Sequence, residues 1–390
     1  MIKSTIIDAA IKSILRGEIE VTGYLCPTLK SPKSSCRICM EVCPADAISM
    51  SEGMIDEAKC FNCGLCISAC PSGVFLSRLE SDANIVELAM SAVKNSTDGA
   101  SVIFACGMAH NETGPIVPIR CLGRLTENIL LWLKKNGITN ITFESGDCPT
   151  CSLSRGDAVF KYNHRLARLI AESTGIKWEK GQTQAIRKKG NVGEKKEKNN
   201  SVPSGGFSRR DFFKRLRGEG ILKVGEMVTE SIKMPPTENV KRNGKNPRRI
   251  LLKKILDGMD NGSVYDGSGG LYIPFADVSV GSECIGCDVC QILCPTAALY
   301  KEKSEDKVQL MFSYDRCISC GLCMEICLGK AIKVQPMFDP EKIVNPSPRE
   351  LISFMNKTCS VCSTEFASRS EDEEICFFCS KRGKYRGGSK

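Results

Sequence analysis

The amino-acid sequence predicts a multi-domain α+β chain, and three observations lead to that class. Cysteine occurs 24 times against two His, and the cysteines fall into four groups with none left over. Two of those groups hold eight cysteines each, and all but the first cysteine of one repeat the motif spacing of the other, which marks an internal repeat. Between them the apolar pattern alternates strand-like and helix-like periods, as an α/β sheet domain requires. A length of 390 residues accommodates about two to four domains. The expected order is an eight-cysteine module at 1–80, an α/β domain at 83–180 and a basic linker with short helices at 181–254. A second eight-cysteine module at 271–345 and a zinc ribbon at 355–385 follow.

Composition narrows the chemistry. No run of 18 or more apolar residues is available to cross a bilayer, and residues 1–30 carry no secretory pattern, so a cytoplasmic protein is expected. In that reducing setting so many thiols imply metal ligation rather than disulfides. His110 and His164 leave little for acid–base catalysis near neutral pH, which favours electron handling over proton chemistry.

The second half of the first module reads "KCFNCGLCISACPSG", with Cys60, Cys63, Cys66 and Cys70 at C-x2-C-x2-C-x3-C spacing and a closing Pro71. The other eight-cysteine module repeats this twice, at Cys284, Cys287, Cys290, Cys294 and at Cys317, Cys320, Cys323, Cys327. A closely spaced trio binds three corners of a [4Fe–4S] cube, and the distant fourth cysteine crosses to the neighbouring cube. These segments resemble bacterial two-cluster ferredoxins. The crossing rule assigns one cube to Cys284, Cys287, Cys290 and Cys327, and another to Cys294, Cys317, Cys320 and Cys323. Leu328 stands where the motif carries Pro, and its N–H is a candidate donor to a cluster sulfur.

The first half of the N-terminal module, "SPKSSCRICMEVCPADAI", supplies Cys36, Cys39 and Cys43 but has Lys33 where the first cysteine belongs. Cys43, Cys60, Cys63 and Cys66 make one complete site. The other holds Cys36, Cys39 and Cys70, and Cys26, ten positions before Cys36, is expected to complete it. A loop of that length containing Pro folds back readily. The rival is a three-iron [3Fe–4S] cluster with Cys26 a bystander.

Residues 83–180 change character. "NIVELAMSAV" has a helical period, "ASVIFAC" is a buried strand ending at Cys106, and "IVPIRC" is a second strand leading to Cys121. "GRLTENILLWLKKNG" is an amphipathic helix with a glycine stop, and "ITNITFESGDC" is a third strand reaching Cys148 and then Cys151. Three strands thus deliver cysteine at their C-terminal ends, the binding edge of an α/β sheet. A redox-active Cys148–Cys151 dithiol and a zinc site are both open to such a set. "RCLGRLTENILLWLKKNGITNITFESGDCPTC" resembles the delta subunit of methyl-viologen-reducing hydrogenase. That resemblance implies a [2Fe–2S] cluster on Cys106, Cys121, Cys148 and Cys151. It further implies relay of electrons between a hydrogenase and heterodisulfide reductase.

The tail, "KTCSVCSTEFASRSEDEEICFFC", places Cys359, Cys362, Cys376 and Cys379 at zinc-ribbon spacing. So short a segment cannot bury a sufficient core, so a bound Zn2+ would supply folding energy of order 10 kcal/mol. A rubredoxin-like iron is the alternative occupant. Residues 181–254 carry 20 Lys and Arg against 7 Asp and Glu. The chain's formal +9 nevertheless falls to about −3 once five clusters and one zinc, each near about −2, are counted. Nucleic-acid binding is therefore not expected from net charge. "SRRDFFK" at 208–214 imitates an export motif without an apolar segment behind it.

The expected function is non-catalytic electron transfer within an anaerobic redox complex of hydrogenase or heterodisulfide-reductase type. Four [4Fe–4S] clusters, one [2Fe–2S] cluster and one Zn2+ would serve it. A self-contained iron–sulfur reductase and a nucleic-acid-binding regulator using the ribbon and the linker are the alternatives.

Overall fold

The computed structural model describes residues 19–50, 54–77, 80–94, 96, 98–109, 114–178, 246–259, 262–267 and 269–386. The basic stretch at 181–245, with its export-like motif, and His110 lie outside them. The chain forms two compact units, and the N-terminal eight-cysteine segment contributes to both. The first contains the described residues among 19–21, 38–70 and 75–178, and the second 22–37, 71–74 and 246–386.

In the first unit, β1 (Ile19–Val21) pairs antiparallel with β2 (Phe75–Ser77). The short helices α1 (Ile38–Glu41) and α2 (Leu65–Ala69) lie on the cysteine motifs between them. Two elements then lead into a parallel sheet: α3 (Asp82–Lys94) and β3 (Ser101–Cys106). β4 (Ile116–Ile119), α4 (Glu127–Lys135), β5 (Asn140–Glu144) and α5 (Gly156–Thr174) complete the unit. The sheet order is β4-β3-β5 with all pairings parallel. Val102 and Phe104 of β3 are fully buried, as a central parallel strand covered on both faces demands. α4 begins at Thr126, whose Oγ1 accepts from Ile129 N (3.3 Å), an N-cap that fixes the helix start. Its buried face is Ile129, Leu130, Leu131 and Leu133.

The second unit opens its cysteine module with β6 (Ala276–Val280) and α7 (Val289–Leu293), after α6 (Pro247–Leu256). The hairpin β7 (Leu299–Lys303) and β8 (Lys307–Phe312) separates the two motifs, and α8 (Leu322–Ile326) and β9 (Ile332–Pro336) close the module. β6 pairs antiparallel with β9, as β1 does with β2, so the repeat in sequence is a repeat in structure. Then come α9 (Pro340–Val344), β10 (Arg349–Thr358), β11 (Glu365–Ser368) and α10 (Phe377–Arg386).

One feature bears out expectation and another differs from it. Residues 247–256 form a short helix inside the stretch read as a basic linker with short helices, and that helix is packed. Asn246 Oδ1 caps Arg248 N (3.0 Å), Pro247 occupies the first turn, and Leu251, Leu252, Ile255 and Leu256 are buried. The tail is not a free-standing ribbon. β10 pairs with β8 up to Met355 and with β11 from Met355 onward, giving one four-stranded sheet β11-β10-β8-β7. Sheet continuity thus supports a hairpin too small to bury a core alone.

Candidate metal centres

The C-terminal module sets the pattern. α7 and α8 each hold one cysteine of a trio, and the loops before them hold the other two. Cys290 lies among Cys287, Cys284 and Cys327, while Cys320 and Cys323 lie beside Cys317 and Cys294. The fourth thiol of each motif therefore faces the other motif's trio, as the crossing rule expects. Burial pushes the Cys290 thiol up to about 12 and Cys317 up to about 11, with Cys320 and Cys323 also raised. Such thiols stay protonated at neutral pH until a metal displaces the proton. The backbone is nonetheless arranged for charged sulfur: Ala298 N donates to Cys294 Sγ (3.2 Å) and Ala331 N to Cys327 Sγ (3.3 Å).

In the first unit Cys63 has Cys60 and Cys43 as neighbours, and Cys66 has Cys63, Cys60, Cys39 and Cys70. The complete N-terminal set is thereby brought together. Ala47 N donates to Cys43 Sγ (3.3 Å) and Asn62 N to Cys60 Sγ (3.4 Å). Of the remaining set, Cys39 and Cys70 sit near Cys66 in this unit, whereas Cys26 and Cys36 belong to the second unit. There the helical turn Pro27–Lys30, which starts at Cys26, is tied to Cys36. Thr28 Oγ1 and Arg37 Nη1 both donate to Cys36 O, each at 2.8 Å.

The dispersed four converge. β3 ends in Cys106, Cys121 follows β4 and opens the turn Leu122–Arg124, and Cys148 and Cys151 flank the turn after β5. All four line one solvent-open cavity, together with Arg120 and Asp157. Gly146 N donates to Cys106 Sγ (3.4 Å) and Leu153 N to Cys151 Sγ (3.3 Å). Burial pushes the Cys121 thiol up to about 12. Cys121 also packs against the core formed by Cys63, Leu65, Ala69 and Val159, so this cavity adjoins the complete N-terminal set. His164 is no part of it. Its ring lies among Phe143, Phe160 and Trp178, and burial holds its pKa below the ordinary range.

The tail set differs in scale. The sulfurs of Cys359, Cys362, Cys376 and Cys379 all lie within 4.8 Å of one another, a spacing found nowhere else among the described residues. Cys362 and Cys376 Sγ are 3.9 Å apart, close to the separation of about 3.8 Å that tetrahedral Zn–S bonds of about 2.3 Å impose. Four sulfurs this close fit a single ion, not a cube. Cys376 N donates to Cys359 Sγ (3.3 Å) and holds that thiol below its usual range.

Sequence reasoning overlooked the cations. Arg155 Nη1 donates to Cys43 O, and Arg120 Nη1 to Phe61 O and to Asn62 O (3.1 Å). Arg249 Nη2 donates to Cys317 O (2.9 Å), and Arg369 Nε to Cys284 O (2.8 Å). Each of these loops encloses a set of four thiols that carries negative charge when metallated, and a cation braces its carbonyls. No local signal separates such arginines from surface ones.

Folds and thiol sets of this kind define an iron–sulfur protein of the dicluster class. The description "LdpA Fe-S cluster-binding domain" matches residues 31–78, and "4Fe-4S dicluster domain" matches residues 283–331. The pyruvate synthase subunit PorD of Methanothermobacter marburgensis is 39% identical over 69 residues, 18% of this chain and 73% of that protein. PorD of Thermotoga maritima is 37% identical over 54 residues, 14% of this chain and 52% of the relative. An uncharacterized ferredoxin of Methanocaldococcus jannaschii is 46% identical over 37 residues, 9% of this chain and 24% of its own length. The chain belongs to the ferredoxin-like family that includes these PorD subunits, and it is an iron–sulfur electron-transfer protein with [4Fe–4S] sites. No described helix is long and apolar enough to cross a membrane.

Proposed function

We propose that the chain relays electrons between partner subunits of a cytoplasmic oxidoreductase complex of hydrogenase or heterodisulfide-reductase type. Four [4Fe–4S] sites would serve the relay: Cys26, Cys36, Cys39, Cys70; Cys43, Cys60, Cys63, Cys66; Cys284, Cys287, Cys290, Cys327; and Cys294, Cys317, Cys320, Cys323. Cys106, Cys121, Cys148 and Cys151 would hold a [2Fe–2S] cluster, and Cys359, Cys362, Cys376 and Cys379 a zinc ion. When bound, the clusters supply one-electron storage and exchange. The residues hold them: thiolates ligate, backbone N–H groups solvate the sulfurs, and arginines offset the charge. The PorD relatives are named as subunits of pyruvate synthase, in keeping with a subunit role here.

The contact of Cys121 with the core around Cys63 and Leu65 supports this reading, because a thiol of the dispersed set then adjoins a thiol of the N-terminal motif within the first unit. A free-standing ferredoxin needs no such extension. The test is anaerobic affinity purification of the full chain from its native cell, followed by Cys121→Ser in the same setting. Oxidoreductase subunits are expected to co-elute with both forms, while electron throughput from donor to final acceptor falls at least about tenfold in the variant, a barrier change of about 1.4 kcal/mol. Unchanged throughput, or substrate turnover by the isolated chain, would overturn the relay.

A further inference from the structure

We propose that the tail tetrathiolate is a latch that holds a guanidinium on the Cys284 loop, so that its metal sets the redox properties of the neighbouring site. The inference rests on reading Cys359, Cys362, Cys376 and Cys379 as a zinc site and Cys284, Cys287, Cys290 and Cys327 as a [4Fe–4S] site.

The geometry is continuous within the second unit. Arg369 directly follows β11, and its Nε and Nη2 both donate to Cys284 O. Its guanidinium also lies over the Phe354 ring of β10, 5.7 Å from the centroid. The hairpin presses on the same loop. A Cβ built on Gly286 would come within 2.5 Å of Ala367 Cβ and 3.1 Å of Ala367 O, so β11 and the cysteine loop meet with no spare room. Gly286 also has φ of +66°, a conformation that a side chain would strain.

The segment beyond Arg369 runs straight to the thiols. Glu373 Oε2 accepts from Arg369 N (3.0 Å) and from Ser368 Oγ (2.9 Å), closing a turn over the fully buried Ser368. Cys376 follows three residues later, and Ser360 N donates to Glu374 O (2.9 Å), stitching this turn to the Cys359–Cys362 knuckle. An ion held by all four thiols would tie the Cys359–Cys362 turn to Cys376 and Cys379. Both ends of the 369–376 segment are then fixed, and the guanidinium is fixed with them.

A cation beside a cluster favours the reduced, more negative state, so loss of the clamp lowers that site's potential. The redox-silent ion thereby acts through a positioning residue, Arg369, on a site that does not share its ligands.

The test uses the full chain reconstituted anaerobically with iron, sulfide and zinc, read by EPR-monitored potentiometry and metal analysis. Arg369→Ala should move one [4Fe–4S] couple to lower potential and leave the others in place. Chelating zinc from the parent chain should move the same couple in the same direction, and zinc added back should restore it. In Arg369→Ala, chelation should produce no further displacement of that couple. Cys362→Ser, which removes a tail ligand only, should reproduce the chelation result in a chain whose other couples confirm that it is folded. Zinc loss that moves no couple, or a displacement that adds to that of Arg369→Ala, would overturn the latch while leaving the electron-transfer reading intact. A parent chain that binds no metal at its tail would overturn the latch together with the zinc assignment.

Discussion

Arg124→Ala is expected to cost the first unit about 3–5 kcal/mol of stability, the range for breaking a buried ion pair from one side. Arg124 is only 1% exposed, in the turn between β4 and α4. Its Nη1 pairs with Asp82 Oδ1 at 2.8 Å, and its Nη2 donates to Glu80 O. Thr126 Oγ1 donates to the other Asp82 oxygen (2.8 Å), so one carboxylate gathers the turn, the N-cap of α4 and the start of α3. Removing the guanidinium leaves Asp82 charged, nearly buried and with the Thr126 hydroxyl as its remaining side-chain partner. Arg124→Lys preserves charge but not the two-armed geometry, and it should recover only part of the loss. Hydrogen exchange of the α3 and α4 amides in the full chain reads the local opening free energy directly. A change below about 1 kcal/mol would show that the pair does not hold these elements together.

The second large effect is expected at Gly123. A Cβ there would fall 2.5 Å from Leu65 Cδ2, 2.6 Å from Gly156 O and 2.9 Å from Gly156 Cα. Two of those three atoms are backbone, so the turn after Cys121 and the first residue of α5 must separate before an alanine fits. Ser68 Oγ donates to Gly123 O as well, tying the same turn to α2. Gly123→Ala should therefore destabilise the unit by about 1–3 kcal/mol, the cost of overpacking. It should also move Cys121 away from Cys106, Cys148 and Cys151, with loss of about two iron atoms per chain. Full iron content in the variant would mean that the close approach does not position Cys121.

How far the sequence foretold these sites follows from the range of the interactions. The ferredoxin-like motifs were legible because a trio of ligands lies within a few residues and needs only a tight loop to converge. The dispersed four were legible as strand ends, because β3, β4 and β5 announce themselves by their apolar runs. α6 was legible in part: the Asn246–Pro247 start and the apolar positions of "RRILLKKIL" are helix signals set in a stretch otherwise rich in Lys and Arg.

What escaped was held by contacts with no local signature. Pro71–Val74 belongs to the second unit, where Asn246 Nδ2 donates to Pro71 O (2.7 Å) across 175 positions of sequence. Ser35 N likewise donates to Glu325 Oε2 (3.1 Å) across 290 positions. The "RCLGR" step could be singled out, but the burial of Arg124 against Asp82 depends on α3, which the motif does not contain. Arg369 reads as one charge in an exposed, mixed-charge loop until Cys284 O is placed against it. Ligand spacing is a local property, and the bracing of ligand loops is a tertiary one.

The central claim is that these cysteines carry several iron–sulfur clusters and one redox-silent ion. Iron, acid-labile sulfide and zinc determined on the full chain purified without oxygen test it most directly. About 18 iron atoms, an equal amount of sulfide and about one zinc per chain are expected from four four-iron sites, one two-iron site and a tetrathiolate. Fewer than about 10 iron atoms after reconstitution, or zinc in place of iron across the ferredoxin motifs, would contradict the account.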